Sequence, residues 1–259
     1  MATSYARARL TTEDDRRYQA YVEKFKLQRK NQKAIRPPRQ RDIFGGQAEA
    51  ALRDWLATQL PLDERRILEY EERRHRIAQI KYRELDALAI VDGVAWVFEI
   101  KASRTASALR RAVAQLNETR QILHLLFHRV GVTILLVDTG IPVDSAAADA
   151  LMASDRPPPR RPEPLDEVLA ALPQLQRIDD LAARSSSDDQ VNLMLFSVND
   201  IIALAGAENL ALDWEEDDFY DEADAEALPE ASLFASSGDD ADDEDDNPLA
   251  AALRKAGLK

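Results

Sequence analysis

The chain has no cysteine, which excludes disulfides and thiolate zinc sites. No stretch approaches about 18 uninterrupted apolar residues, so no transmembrane helix is expected. Met1 to Leu10 lacks an apolar run and carries Arg7 and Arg9. A signal peptide is therefore not expected either, and the default expectation is a cytoplasmic protein. Internal repeats are absent. So is any cluster of aromatic residues that would serve as a stacking platform for unpaired bases.

What is present is apolar enough to fold. Hydrophobic residues make up 45% of the 259, sufficient for one sizeable core with appendages. The net charge of -13 is unevenly placed. Residues 208–259 hold 18 Asp/Glu against 3 Lys/Arg, while the remaining 207 residues hold 29 acids and 31 bases. The body is slightly basic and the tail strongly acidic. An acidic average therefore does not argue against nucleic-acid binding by the body.

Residues 12–35 have helical character: Thr12 can cap, acids fill the first turn, Lys and Arg crowd the later turns, and Pro37-Pro38 follows. With its flanks this makes a basic N-terminal helical arm over 1–42. Lys30 and Lys33 are among its candidate DNA contacts, and a merely soluble basic helix is the competing account. Ala48, Leu52, Trp55, Leu56 and Leu60 then recur at helical spacing over 43–60, with Gly45-Gly46 near the start and Pro61 after the end.

Residues 66–102 change to strand character in three segments, 66–72, 76–92 and 94–102, with Asp92-Gly93 as a hairpin signal. A helix over 106–128 follows, then a buried strand over 131–140. Helix, three strands, helix and strand suggest a mixed sheet with helices packed on it. The signal weakens beyond 140. A proline-stiffened linker covers about 154–166, 185–189 reads as a loop, and 191–206 supplies a last strand and short helix. Residues 207–246 have the composition of a disordered acidic segment, and 247–259 form a short amphipathic basic peptide. The tail is read as a solvating segment, a nucleic-acid mimic shielding the body, or a tether to a protein partner.

One stretch breaks the apolar pattern. "ELDALAIVDGVAWVFEIKAS", 84–103, carries Glu84 and Asp86 before the hairpin and Glu99 and Lys101 after it. Residues two apart in a strand share a face, so Glu99 and Lys101 point one way and Trp96, Phe98 and Ile100 the other. The hairpin can bring Asp86 beside Glu99. Two converging carboxylates form a hard, oxygen-rich site suited to Mg2+ or Mn2+, to which the Ile100 carbonyl could add. Lys101 could position a water or stabilise developing negative charge. A salt bridge at a sheet edge is the competing account. Arg104, Arg110 and Arg111, beside the next helix start, are candidate phosphate contacts. His124 and His128 share a helix face but lack a third ligand nearby, so an ordinary surface role is preferred for them.

Asp86 in "ELD" and Glu99, Ile100 and Lys101 in "EIK", thirteen residues on and across a hairpin, resemble the PD-(D/E)xK nuclease superfamily. The looser branches related to RecB and to Holliday-junction resolvases are the nearest in pattern. The resemblance covers about 100 residues. It implies a restriction-endonuclease-like αβββαβ core over 43–139 within a nuclease domain spanning 43–206. It further implies Mg2+-dependent phosphodiester hydrolysis, with Asp86 and Glu99 as metal ligands and Lys101 as the catalytic lysine. Glu49 matches the glutamate that many members carry on the first core helix, and Gln115 matches a glutamine on the helix after the lysine strand. Leu85 stands where the motif name has proline, and Thr119 where the RecB-like pattern has tyrosine. The expectation is a homodimeric DNA endonuclease of defence, restriction or recombination and repair, with a helicase, an ATPase or another complex subunit as a possible protein partner. The alternative is a non-catalytic DNA-binding or adaptor subunit working through its tail.

Overall fold

The computed structural model describes residues 3–30, 40–74, 77–155, 157–158 and 160–213, except the side chains of 25–30 and 41. Lys33, the acidic segment from 214 onward and the peptide 247–259 lie outside these residues, and the Lys30 side chain is likewise not described. The described chain is mixed α/β, with two sheets and six α-helices.

The N-terminal segment enters as a strand rather than as a purely helical arm. Ser4–Thr11 (β1) pairs antiparallel with Ile67–Arg74 (β2), which pairs with Ile77–Glu84 (β3). The acids of β2 explain this arrangement. Glu69, Glu71 and Glu72 are buried and need cationic partners. Arg9 meets Glu69 at 2.6 Å, Arg7 meets Glu71 at 3.2 Å, and Lys81 of β3 meets Glu72. Arg9 stands opposite Glu69 in the ladder, and Arg7, in the register break between Ala6 and Arg9, turns to Glu71 from its edge. Helix α1, Arg16–Lys30, starts later than Thr12 because Asp15 caps it, accepting from Arg17 N at 2.9 Å and Tyr18 N at 3.1 Å. Tyr18 and Tyr21 then pack α1 onto Ile67 and Tyr82.

Helix α2, Gln40–Gln59, leads by way of β2 and β3 to the second sheet. The expected strand 76–92 divides there. Leu85 N donates to Arg66 O at 2.8 Å, and the chain passes from one sheet to the other across Leu85–Asp86. The expected single sheet is therefore two. Ala87–Val91 (β4) and Val94–Ser103 (β5) form the hairpin, with Asp92 and Gly93 at φ 52° and 74°, the positive pair that a two-residue turn requires. Helix α3, Ser107–Leu123, crosses over to Arg129–Asp138 (β6), which runs parallel to β5.

The weakly patterned stretch holds three more elements that the sequence pattern does not reveal. These are α4 (Ser145–Met152), α5 (Leu165–Ala171) and the short strand β7 (Leu175–Arg177). Val191–Ser197 (β8) and Val198–Ala205 (α6) match the expected last strand and helix. Packing runs past 206 to Leu210, which is buried. The sheet order is β4-β5-β6-β8-β7, antiparallel at the hairpin and parallel elsewhere.

The central strands are apolar on both faces, as strands covered by helices must be. Ala95, Val97, Val132, Ile134 and Leu136 pack with Leu109, Ala112, Val113 and Leu116 of α3. Trp96, Phe98, Ile100, Leu135 and Val137 pack with Phe44, Ala48, Leu52 and Leu56 of α2 and Ile201 of α6. A fully buried leucine or phenylalanine contributes about 1.5–3 kcal/mol. This double layer therefore fixes the sheet against which the charged residues are set.

Candidate active site

β4 is shorter than β5, and that difference opens the site. The ladder between them begins at Ala87 opposite Phe98. Residues 99–103 of β5 continue alongside β6 only. Where β4 would have supplied a carbonyl, Asp86 supplies its carboxylate: Ile100 N donates to Asp86 Oδ2 at 2.7 Å. The N–H and C=O of one strand residue face the same edge, so the Ile100 carbonyl faces the Asp86 side as well.

Glu99 is buried beneath α3 with 4% exposure. Lys101 Nζ lies 2.9 Å from its Oε1, and Gln115 Nε2 donates to its Oε2 at 3.0 Å. Both oxygens of Glu99 are thereby oriented by groups two residues along the strand and one helix away. The structure thus brings Asp86, Glu99, Ile100, Lys101 and Gln115 together.

Burial pushes the Asp86 carboxyl up to about 8, and the charges of Glu99 and Glu49 push the same way; the Ile100 N–H and Lys101 oppose them. Were both acids ionised, they would leave one negative charge beyond Lys101 in a poorly solvated place, which a divalent cation would neutralise. Among the described residues no three His, Cys, Asp or Glu side chains gather at metal-binding spacing. The donor set is two carboxylates and a main-chain carbonyl. That fits Mg2+ or Mn2+, since Mg2+ needs few protein ligands and keeps waters and substrate phosphate oxygens for the rest.

Glu49 is on α2, close enough to act on the Asp86 charge, but Arg53 one turn later holds it in an ion pair. Arg53 also donates Nε to the Asp86 carbonyl at 2.8 Å. Sequence reasoning misses this arginine, although its i, i+4 spacing from Glu49 is readable. Glu84 is drawn away to Arg66 at 2.6 Å. Arg110 pairs with Glu163, Arg111 is exposed, and Arg104 is half-buried before the start of α3. His124 Nε2 lies 3.0 Å from Asp188 Oδ1 and does not join His128 in a metal pair. Arg83, whose guanidinium grips α3, carries no local signal because its partners are more than thirty residues away.

Comparison of the chain with protein-family models, with curated proteins and with solved structures finds no match.

Proposed function

We propose that the protein is a Mg2+-dependent DNA endonuclease of the PD-(D/E)xK type, with Asp86, Glu99, Lys101 and Gln115 at its centre and a restriction-endonuclease-like core. The observation that carries this reading is that Asp86, one residue before the Ala87–Phe98 pair that begins the ladder, accepts from Ile100 N beside Glu99, whose carboxylate lies 2.9 Å from Lys101 Nζ. Asp86, Glu99 and the Ile100 carbonyl would hold the cation. When bound, it would lower the pKa of a coordinated water and polarise the scissile phosphoryl group. Gln115 keeps the Glu99 carboxylate from rotating. Lys101, half-buried on the same face, presents its ammonium to charge developing on phosphate oxygens or holds the attacking water. Arg53 fixes the main chain at Asp86 and so the direction of its carboxylate.

The test is cleavage of supercoiled plasmid, linear duplex, single strands and a four-way junction by purified protein with Mg2+ or Mn2+. Cutting is expected to vanish with EDTA and to fall about a hundredfold or more in Lys101→Ala. Cutting that persists in both would reject the proposed site. No cutting by the folded protein, with no Mn2+ binding by calorimetry, would leave the adaptor alternative.

A further inference from the structure

Arg83, near the end of β3, exposes only 12% of its side chain. Its guanidinium meets one turn of α3 at three points. Nη1 donates to the Gln115 carbonyl at 3.2 Å and to Thr119 Oγ1 at 2.7 Å, and Nη2 donates to Glu118. Tyr5 of β1 donates to the other Glu118 oxygen at 2.8 Å. Thr119 Oγ1 donates in turn to the Gln115 carbonyl at 2.9 Å, closing the network. The main-chain oxygen held here belongs to the residue whose side chain reaches Glu99.

Stability gives no sufficient reason for this network. The Arg83 guanidinium is largely taken out of water while Glu118 keeps a third of its side chain exposed. Burying such a guanidinium costs free energy, and replacing a buried pair by apolar groups is often neutral or stabilising. A planar fork with fixed donor directions does supply register, which a greasy contact does not.

We propose that Arg83 is a positioning residue for the reactive centre. By gripping α3 at Gln115, Glu118 and Thr119, it sets the height and roll of the helix above β5. That aims the Gln115 amide at Glu99 Oε2. Arg83 itself touches neither substrate nor cation. The inference rests on the reading of Glu99 as a site carboxylate. It also gives the N-terminal sheet a role in the chemistry, since β1 and β3 hold the helix that orients the site.

The experiment compares wild type with Arg83→Met/Glu118→Met, in which both charges leave together. The readout in metal-free protein is the side-chain amide signal of Gln115 in a 1H–15N spectrum, assigned with Gln115→Ala. The double variant is expected to melt close to wild type, while the Gln115 signals move to the position of a solvated glutamine and exchange faster. Metal-dependent cleavage should fall about 10–100-fold, the usual effect of losing a residue that orients a ligand. In a Gln115→Ala background the same two substitutions should cost less than about twofold, because their effect runs through Gln115.

If the double variant fails to fold, Arg83→Lys serves: it keeps the charge beside Glu118 but cannot reach all three acceptors. Gln115 signals that stay in place, or a loss undiminished in Gln115→Ala, would overturn the proposal. A wild type that neither cuts nucleic acid nor binds Mn2+, while its Gln115 amide responds to Arg83, supports the linkage and rejects the nuclease. A wild type that cuts while that amide is indifferent does the reverse.

Discussion

Asp86 faces two opposed demands. Burial, together with the charges of Glu99 and Glu49, disfavours its ionised form, while the Ile100 N–H, which donates to Oδ2 at 2.7 Å, and Lys101 favour it, and the first set prevails. The consequence for stability has a definite sign. Because the folded-state pKa is raised to about 8, the folded protein retains a proton that the unfolded chain gives up near the usual carboxylate range. The contribution is therefore fully present below about pH 4 and is lost as pH rises toward about 8. Asp86→Asn, which keeps an oxygen for the Ile100 N–H, should match wild type near pH 3.5. In EDTA at pH 8.5 it should be more stable by on the order of 1–3 kcal/mol, a figure discounted for the water that reaches the half-buried carboxyl. Urea unfolding at the two pH values measures this, and a constant difference would show that Asp86 is not under such strain. The placement of Asp86, Glu99 and Lys101 is legible because strand period and hairpin register are local rules. The engagement of Glu49 by Arg53 needs only the i, i+4 rule, yet the resemblance that singles out Glu49 says nothing of its partner. The grip of Arg83 on α3 is not legible at all, since nothing within β3 announces a partner on another element.

β5 and β6 set the limits of tolerance for whole elements. Gly131 lies opposite Trp96 in the parallel ladder, and a Cβ there would fall 2.2 Å from the indole ring. Arg184 also stacks on that ring, with its guanidinium carbon 4.4 Å from the centroid. Gly131→Ala must therefore displace a tryptophan that is already in contact with a guanidinium. The expected cost is about 1–3 kcal/mol with a shifted tryptophan emission, followed by urea titration and fluorescence. A neutral substitution would mean that the ring has room to move. Helices α2 and α3 are legible because their apolar spacing persists over four or more turns, and α6 because it lies in a markedly apolar stretch. Helices α4 and α5 are not, being about two turns long with too few apolar repeats to show a period. β1 escapes for a different reason. It pairs with β2, whose buried acids lie sixty or more residues later, and its Tyr5, Ala8 and Leu10 meet the core only once that sheet has formed.

At the scale of the whole molecule, the proposed cation site would couple to folding. A ligand that binds the folded chain alone stabilises it by mass action, about 2.7 kcal/mol at a hundred times its dissociation constant. Mn2+ should raise the melting temperature of the wild type in scanning calorimetry and leave that of Asp86→Ala unmoved. Equal shifts in both would place the ion elsewhere, on the acidic stretches for example. The division into two sheets matters at this scale as well. The first sheet packs Leu68 and Tyr70 into the core beside α3 and Ile67 and Tyr82 against α1, and charge pairs join its strands as well: Arg9 with Glu69, Arg7 with Glu71 and Lys81 with Glu72.

Sequence by itself determined the elements with a sustained period, the hairpin at Asp92–Gly93 and the common face of Glu99 and Lys101. Each follows from backbone geometry acting over a few residues. Tertiary structure alone decided that the strand run splits between two sheets at Leu85–Asp86, that β4 stops short and leaves the Ile100 edge to Asp86, and that Arg83 reaches Gln115. These depend on where distant segments bury their charges, and buried charge takes its partners from wherever the fold brings them.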